Sequence, residues 1–232
     1  MKDQYFGDVG DYRKFSILRA FADEGSKVLV CWMYTLPDGR SDGRFVEYLS
    51  KPEWRSYEPD IFDFLHNAVL KEKVRKLSLI EKSGLLDGVS FFSEVLGEKS
   101  VDRKTFFESL HHEAKESDLV FLDPDNGIEV SSVKTGKKNS ERYVYWDELE
   151  QLFGCGKSLL VYQHFGRQER NGFIQKTART VKEKLGVNKV VSLRTKNSFY
   201  LLIPHSKHLP KLQKALPRIS KLWDEHVSVQ QH

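Results

Sequence analysis

Asp123-Pro124-Asp125-Asn126-Gly127 sets two carboxylates and an amide in a row, directly after the apolar run Leu119–Leu122. Proline and glycine force a turn there, so the polar groups are presented at the end of a strand. Glu129 adds a third acid, and His164 ends a second apolar run, Ser158–Tyr162. Acids beside a histidine suit divalent-metal chemistry: Asp123, Asp125, Glu129 and His164 are candidate ligands for Mg2+ or Mn2+, with His164 as base or ligand. Arg167 and Arg170 are placed to hold a phosphate, which describes a nuclease or phosphohydrolase. The plainest alternative is that DPDNG is only a well-formed turn and His164 a structural histidine.

These residues need a scaffold. Leu119–Leu122 is short, apolar and bounded by charge, the pattern of a strand buried on both faces. Similar runs predict strands at Lys27–Met33, Val89–Ser93, Ser158–Tyr162, Lys189–Leu193 and Phe199–Ile203. Helical spacing predicts helices over Asp11–Asp23, Arg44–Leu49, Asp60–Leu79, Asp102–Ala114, Trp146–Phe153, Arg170–Leu185 and Leu209–Val227, with Asp8 or Asp11 as the first cap. Pro52–Tyr57 reads as a surface connection, and Ser131–Arg142 as a polar, mobile segment. Alternation of strand and helix implies a mainly parallel sheet with helices on both faces. The last two strands are too close for a crossover and must be antiparallel. The expectation is one α/β, Rossmann-like domain over 1–232, with a C-terminal antiparallel hairpin, the layout of the class I methyltransferase sheet. Open sheets of this kind bind ligands at the carboxyl ends of their strands, where DPDNG falls.

The apolar and charged fractions, 39% and 30%, are those of a folded globular chain. No run approaches a membrane span and the N-terminus lacks a signal-peptide layout, so a cytoplasmic protein with no membrane partner is expected. Cys31 and Cys155 are read as reduced thiols. Of the 37 Lys+Arg and 33 Asp+Glu, residues 151–232 hold 15 and 4. Such a basic C-terminal third fits a nucleic-acid partner, RNA or DNA, with Arg167, Arg170, Lys176 and Arg179 as contacts; two solvated lysine-rich helices would give the same count.

Three stretches carry a resemblance. FGDVGDYRKFSIL is similar in spacing to the AGN-x-AD-x-x-KH segment of the bacterial methyltransferases that modify an adenine N6 of large-subunit ribosomal RNA. Gly7, Asp11 and Lys14 match; Asp8, Gly10 and Phe15 replace that family's Asn, Ala and His. LDPDNGIE stands where the family has DPPY, with Asp123 and Pro124 matching and Asp125 and Asn126 departing. The ending SFYLLIPHSKHLPKLQKALPRISKLW resembles the family's strand–Pro–helix finish. The resemblance implies an S-adenosylmethionine-dependent enzyme acting on a base amino nitrogen. Gly7, Asp11, Lys14 and Tyr34 would hold the cofactor, and Asp123, Asp125, Asn126 and His164 would form the catalytic end. The departures make the chain look like a sister group marked by GD-x-x-D-x-x-K and DPDNG. The loop TLPDGRSDGR, with Asp38 and Asp42 as loop residues, lacks the close-set glycines that let a backbone approach a cofactor. Asn126 can accept from an amine but cannot stack, so Phe6, Tyr34 or Phe165 would have to supply the platform. Glu81 is the candidate for holding a ribose. A non-catalytic nucleic-acid-binding module on the same fold is the remaining alternative.

Overall fold

The computed structural model describes residues 1–36, 43, 45–97 and 99–232. The apolar runs become the strands β1 (Val28–Cys31), β2 (Val89–Phe92), β3 (Leu119–Leu122), β6 (Ser158–His164), β7 (Val191–Arg194) and β8 (Ser198–Ile203), and β4 (Gly127–Ile128), β5 (Tyr143–Val144) and β9 (Ser228–Gln231) are strands besides. The helices are α1 (Val9–Asp23), α2 (Pro59–His66), α3 (Ser78–Glu81), α4 (Ser100–Glu113), α5 (Trp146–Gly154), α6 (Arg170–Leu185) and α7 (Leu209–Leu222). Seven strands form one sheet in the order β2-β1-β3-β6-β8-β7-β9, and β4 and β5 form a separate pair. The four strands β2, β1, β3 and β6 run parallel, and β8 is antiparallel to both β6 and β7. This is the expected Rossmann-like α/β architecture, with the hairpin folded back so that its second strand lies inside the sheet.

Both faces of the sheet are covered. Leu119 and Phe121 of β3 join a core with Phe15 and Leu18 of α1, Leu65 of α2 and Ile219 of α7. Val120 and Leu122 join a second core with Leu110 of α4, Leu152 of α5 and Val181 of α6. All four β3 side chains are fully buried. At roughly 1.5–3 kcal/mol for each large apolar side chain, the strand bearing the DPDNG turn is anchored firmly. Cys31 is buried and Cys155 exposed, and neither forms a disulfide. No helix among the described residues is long and apolar enough to cross a membrane.

Three local expectations need correction. The helix expected over Asp60–Leu79 breaks: α2 passes into a π turn at Asn67–Lys71, and Lys73 adopts φ 56° before α3 begins. Arg75 explains the detour, because its guanidinium reaches back to the carbonyls of Phe6 and Gly43. The last helix stops at Leu222, where buried Trp223 turns the chain toward β9. That strand, SVQQ, has no apolar run to reveal it and is held through backbone pairing with β7. The polar segment 131–142 is bracketed by β4 and β5, which pair in parallel and fix both its ends.

Candidate active-site edge

Asp123 leaves β3 with its N–H still in the ladder, donating to the Cys31 carbonyl at 3.1 Å. Its carboxylate meets Lys14 on α1, with Nζ 2.7 Å from Oδ2. The same ammonium donates to Asp11 Oδ1 at 2.9 Å. Asp8 caps α1, accepting from the N–H groups of Gly10 and Asp11 at 2.8 and 3.0 Å. Gly7 donates its N–H to Asp11 Oδ2 at 3.1 Å and has φ 79°. A Cβ at Gly7 would lie 2.5 Å from Val69 Cγ2, so only glycine fits. The two motifs, 109 residues apart at Lys14 and Asp123, are thus one buried ion cluster.

The side chains of Lys14, Asp11 and Asp123 are 6%, 2% and 3% exposed. The rings of Trp32 and Tyr162 stand 5.7 and 5.8 Å from the ammonium. Burial disfavours the charged lysine, but Asp11 and Asp123 outweigh it and hold its pKa well above the usual value. Burial, partly offset by Lys14, pushes Asp11 from 3.8 up to about 7. The native state therefore keeps a proton that the unfolded chain has already lost. Its contribution to stability is full below about pH 4 and declines as pH rises toward 7. Urea unfolding across pH 5 to 8 is expected to show stability falling with pH in the native chain and a flatter profile in Asp11→Asn; parallel profiles would contradict this origin.

Beyond Asp123 the turn is fixed from three sides. The Met1 α-amino group lies 3.0 Å from Asp125 Oδ1 and donates to the Asp123 carbonyl at 3.2 Å, and Lys2 Nζ is 3.5 Å from Asp125 Oδ2. Burial alone would raise the Asp125 pKa, but these cations keep it below the ordinary carboxylate value. The Asn126 N–H donates to the Arg142 carbonyl at 2.9 Å. Gln163, which the sequence reading passed over, is the clamp. Its Oε1 accepts from Ile128 N–H at 2.9 Å and its Nε2 donates to the carbonyls of Asn126 and His164 at 2.8 and 3.2 Å. Gly127, at φ 117°, makes room for it, since a Cβ there would sit 2.3 Å from Gln163 Cδ. Its only advance signal was an amide near the end of the strand expected beside DPDNG.

Each candidate metal ligand meets another group in the fold. Asp123 faces Lys14, Asp125 faces the N-terminus, and Glu129 accepts from Trp146 N–H at the start of α5. His164 is exposed, with Nδ1 3.4 Å from the Tyr162 hydroxyl, and desolvation holds it below the usual histidine pKa. Among the described residues no three His, Cys, Asp or Glu side chains converge as metal ligands. Each acid is already occupied by a cation or a helix N–H.

The candidate cofactor residues have partners as well. With Lys14 in contact with both acids and Gly7 against Val69, Gly7, Asp11 and Lys14 close a core rather than line a cradle. Tyr34 donates to Asp3 Oδ2 at 3.2 Å. Phe6 is fully buried and Phe165 nearly so, so neither is a free stacking platform. Glu81 accepts from Trp32 Nε1 and Ser93 Oγ at 2.8 and 2.6 Å, next to the carboxyl ends of β1 and β2. Asp38 and Asp42 lie outside the described residues.

An open cleft of about 540 Å3 lies on the other side of the turn. Asn126, Gln163 and His164 line its floor end, Trp146 and Phe173 give it aromatic surface, and Lys176 stands on its α6 wall. The volume falls within the ordinary range of small-ligand sites, about 300–1,000 Å3. The Asn126 side-chain amide forms no hydrogen bond among the described residues. No protein-family model matches the chain, and no curated protein is significantly similar to it. The site is therefore read from its own chemistry. Arg167 and Arg179 are exposed near this cleft wall in sequence, and Arg170 lies over the Phe165 ring at 5.5 Å.

Proposed function

We propose that this chain is a nucleic-acid-directed, methyltransferase-like enzyme that takes a base into the cleft beside Asn126 and acts on its amino nitrogen. The observation that carries this reading is the cleft itself. A free amide at a strand's carboxyl end faces a space of about 540 Å3 that is also lined by Tyr143, Trp146, Phe173 and Lys176. An extruded base needs such a set: an acceptor for its exocyclic amine, an aromatic surface to stack on, and cations for its phosphates. Asn126 accepts from the amine, Trp146 or Phe173 stacks, and Lys176 and Arg179 meet the backbone. S-Adenosylmethionine supplies the methyl group in this reading. The Lys14 cluster acts at one remove, holding Asp123 and hence the turn that aims Asn126.

Closure of Lys14 on Asp11 and Asp123 favours a second reading, a nucleic-acid-binding module that has kept the fold without the reaction. Calorimetric titration separates the two. S-Adenosylmethionine or its demethylated product is expected to bind, and Asn126→Ala is expected to reduce methyl transfer to RNA or DNA by about 100-fold with the cofactor affinity unchanged. Oligonucleotide binding with no affinity for either cofactor form at millimolar concentration would leave the binding module. No nucleic-acid binding would sink both.

A further inference from the structure

The basic C-terminal third is only partly used by the cleft wall, and three of its lysines gather at the opposite edge of the sheet. The parallel register places Lys27, Asp118 and Lys157 in a row immediately before β1, β3 and β6. A hollow of about 280 Å3 opens there, lined by Lys27, Lys115, Lys157, Lys207, His208 and Lys211. Asp118 organises it. Its carboxylate accepts from Lys211 Nζ at 3.0 Å and Lys27 N–H at 3.2 Å, with His208 Nε2 at 3.4 Å. His208 is buried and braced through Nδ1 by Ser158 Oγ at 3.2 Å.

The cations outnumber their partners. Five ammonium groups share the hollow with two carboxylates, Asp118 and Glu116. Lys157 is fixed on two carbonyls, donating to Lys115 O at 2.7 Å and Ser117 O at 3.0 Å, with no carboxylate of its own. Lys115 and Lys207 have no acidic partner among the described residues, and Lys27 comes only within 3.9 Å of exposed Glu116. Burial, and then the neighbouring Lys207, lower the Lys157 pKa, with Asp118 and Glu116 acting the other way. Helix stability does not ask for this arrangement, since Lys207 and Lys211 flank the start of α7, where cations oppose the dipole.

From this geometry we infer a second site at the amino-terminal edge of the sheet, in which Lys115, Lys157 and Lys207 bind phosphate groups. The hollow is small and strongly cationic, which suits one or two phosphates rather than a whole nucleotide. Lys157 is pre-positioned, and Lys115 and Lys207 are free to close on the oxygens. The phosphates belong either to a nucleic-acid backbone or to a free oligophosphate. The site lies apart from the cleft beside Asn126 and does not rest on the reading of that cleft.

Calorimetric titration with inorganic pyrophosphate and with a short single-stranded RNA tests it, comparing the native chain with Lys115→Ser/Lys207→Ser and with Lys221→Ser as control. Both replaced lysines are exposed, so the thermal unfolding midpoint is expected to stay put. The double variant is expected to lose at least about tenfold in affinity, and the control to lose none. A loss confined to RNA, with a shallower salt dependence, assigns the phosphates to a backbone; a loss confined to pyrophosphate assigns them to a free anion. Equal behaviour of native and double-variant chains toward both ligands, binding or not, would overturn the site.

Discussion

Replacing Lys14 by methionine is expected to lower the unfolding free energy by about 3–5 kcal/mol, the usual cost of removing one partner from a buried ion pair. The methionine can fill the space between the Trp32 and Tyr162 rings, so the loss is electrostatic more than steric. Asp11 and Asp123 would face each other without a cation, and Asp11, whose pKa burial already raises against the pull of Lys14, would be driven further toward its protonated form. An acid whose native pKa is raised above its unfolded value loses stability as pH rises, so the deficit should be larger at pH 8 than at pH 5. Urea unfolding at the two pH values measures it. Lys14→Met/Asp123→Asn should recover part of the loss, because it removes one of the two stranded charges. A deficit below about 1 kcal/mol would mean the cluster contributes little to stability.

Arg103→Met is expected to cost a similar 3–5 kcal/mol and to loosen the wall of the cleft. Arg103 is 2% exposed. It forms a two-pronged pair with Glu148, with Nη2 2.8 Å from Oε2. It also donates to the carbonyls of Tyr143 and Ser140 at 2.6 and 3.2 Å and lies 4.7 Å over the Tyr145 ring. Glu148 in turn accepts from Tyr145 N–H at 2.8 Å at the start of α5. One side chain thus ties α4 to α5 and to β5, which pairs with the Gly127–Ile128 segment after DPDNG. Hydrogen exchange should therefore quicken across residues 127–146 in the variant, while β1 and β3 stay protected. Arg103→Lys should not rescue it, because an ammonium cannot reproduce the planar fork. Unchanged exchange in 127–146 would separate the ion pair from the cleft.

Much of this architecture was legible because strands and helices are set by local pattern. Leu119–Leu122 is a strand with the predicted bounds, since four consecutive apolar residues between charges can be buried only from both sides. Arg170–Leu185 is likewise a helix over the predicted residues, ending on Gly186 at φ 63°. The tight connection between β7 and β8 required the antiparallel pair that is seen. β9 was hidden because an edge strand held by its backbone needs no apolar signature. The break after His66 was hidden because it answers to an arginine and carbonyls distant in sequence.

By itself the sequence determined where the candidate groups stand: a turn of acids and an amide at the carboxyl end of a buried strand, with His164 ending the strand beside it. Only the tertiary structure decided what those groups face. Lys14 and Asp11 were candidate cofactor residues through their resemblance to the opening segment of the ribosomal RNA methyltransferases, and packing α1 against β3 put the ammonium between two carboxylates. Asp125 and Glu129, candidate metal ligands in the sequence, meet the Met1 amine and the start of α5 in the fold. Gln163 stood out only as an amide near the end of its strand, although it holds the turn in place through three hydrogen bonds. The physical reason is range. Backbone form follows from neighbours a few residues away, whereas the charge and hydrogen-bond state of a buried polar group depends on partners brought from far along the chain.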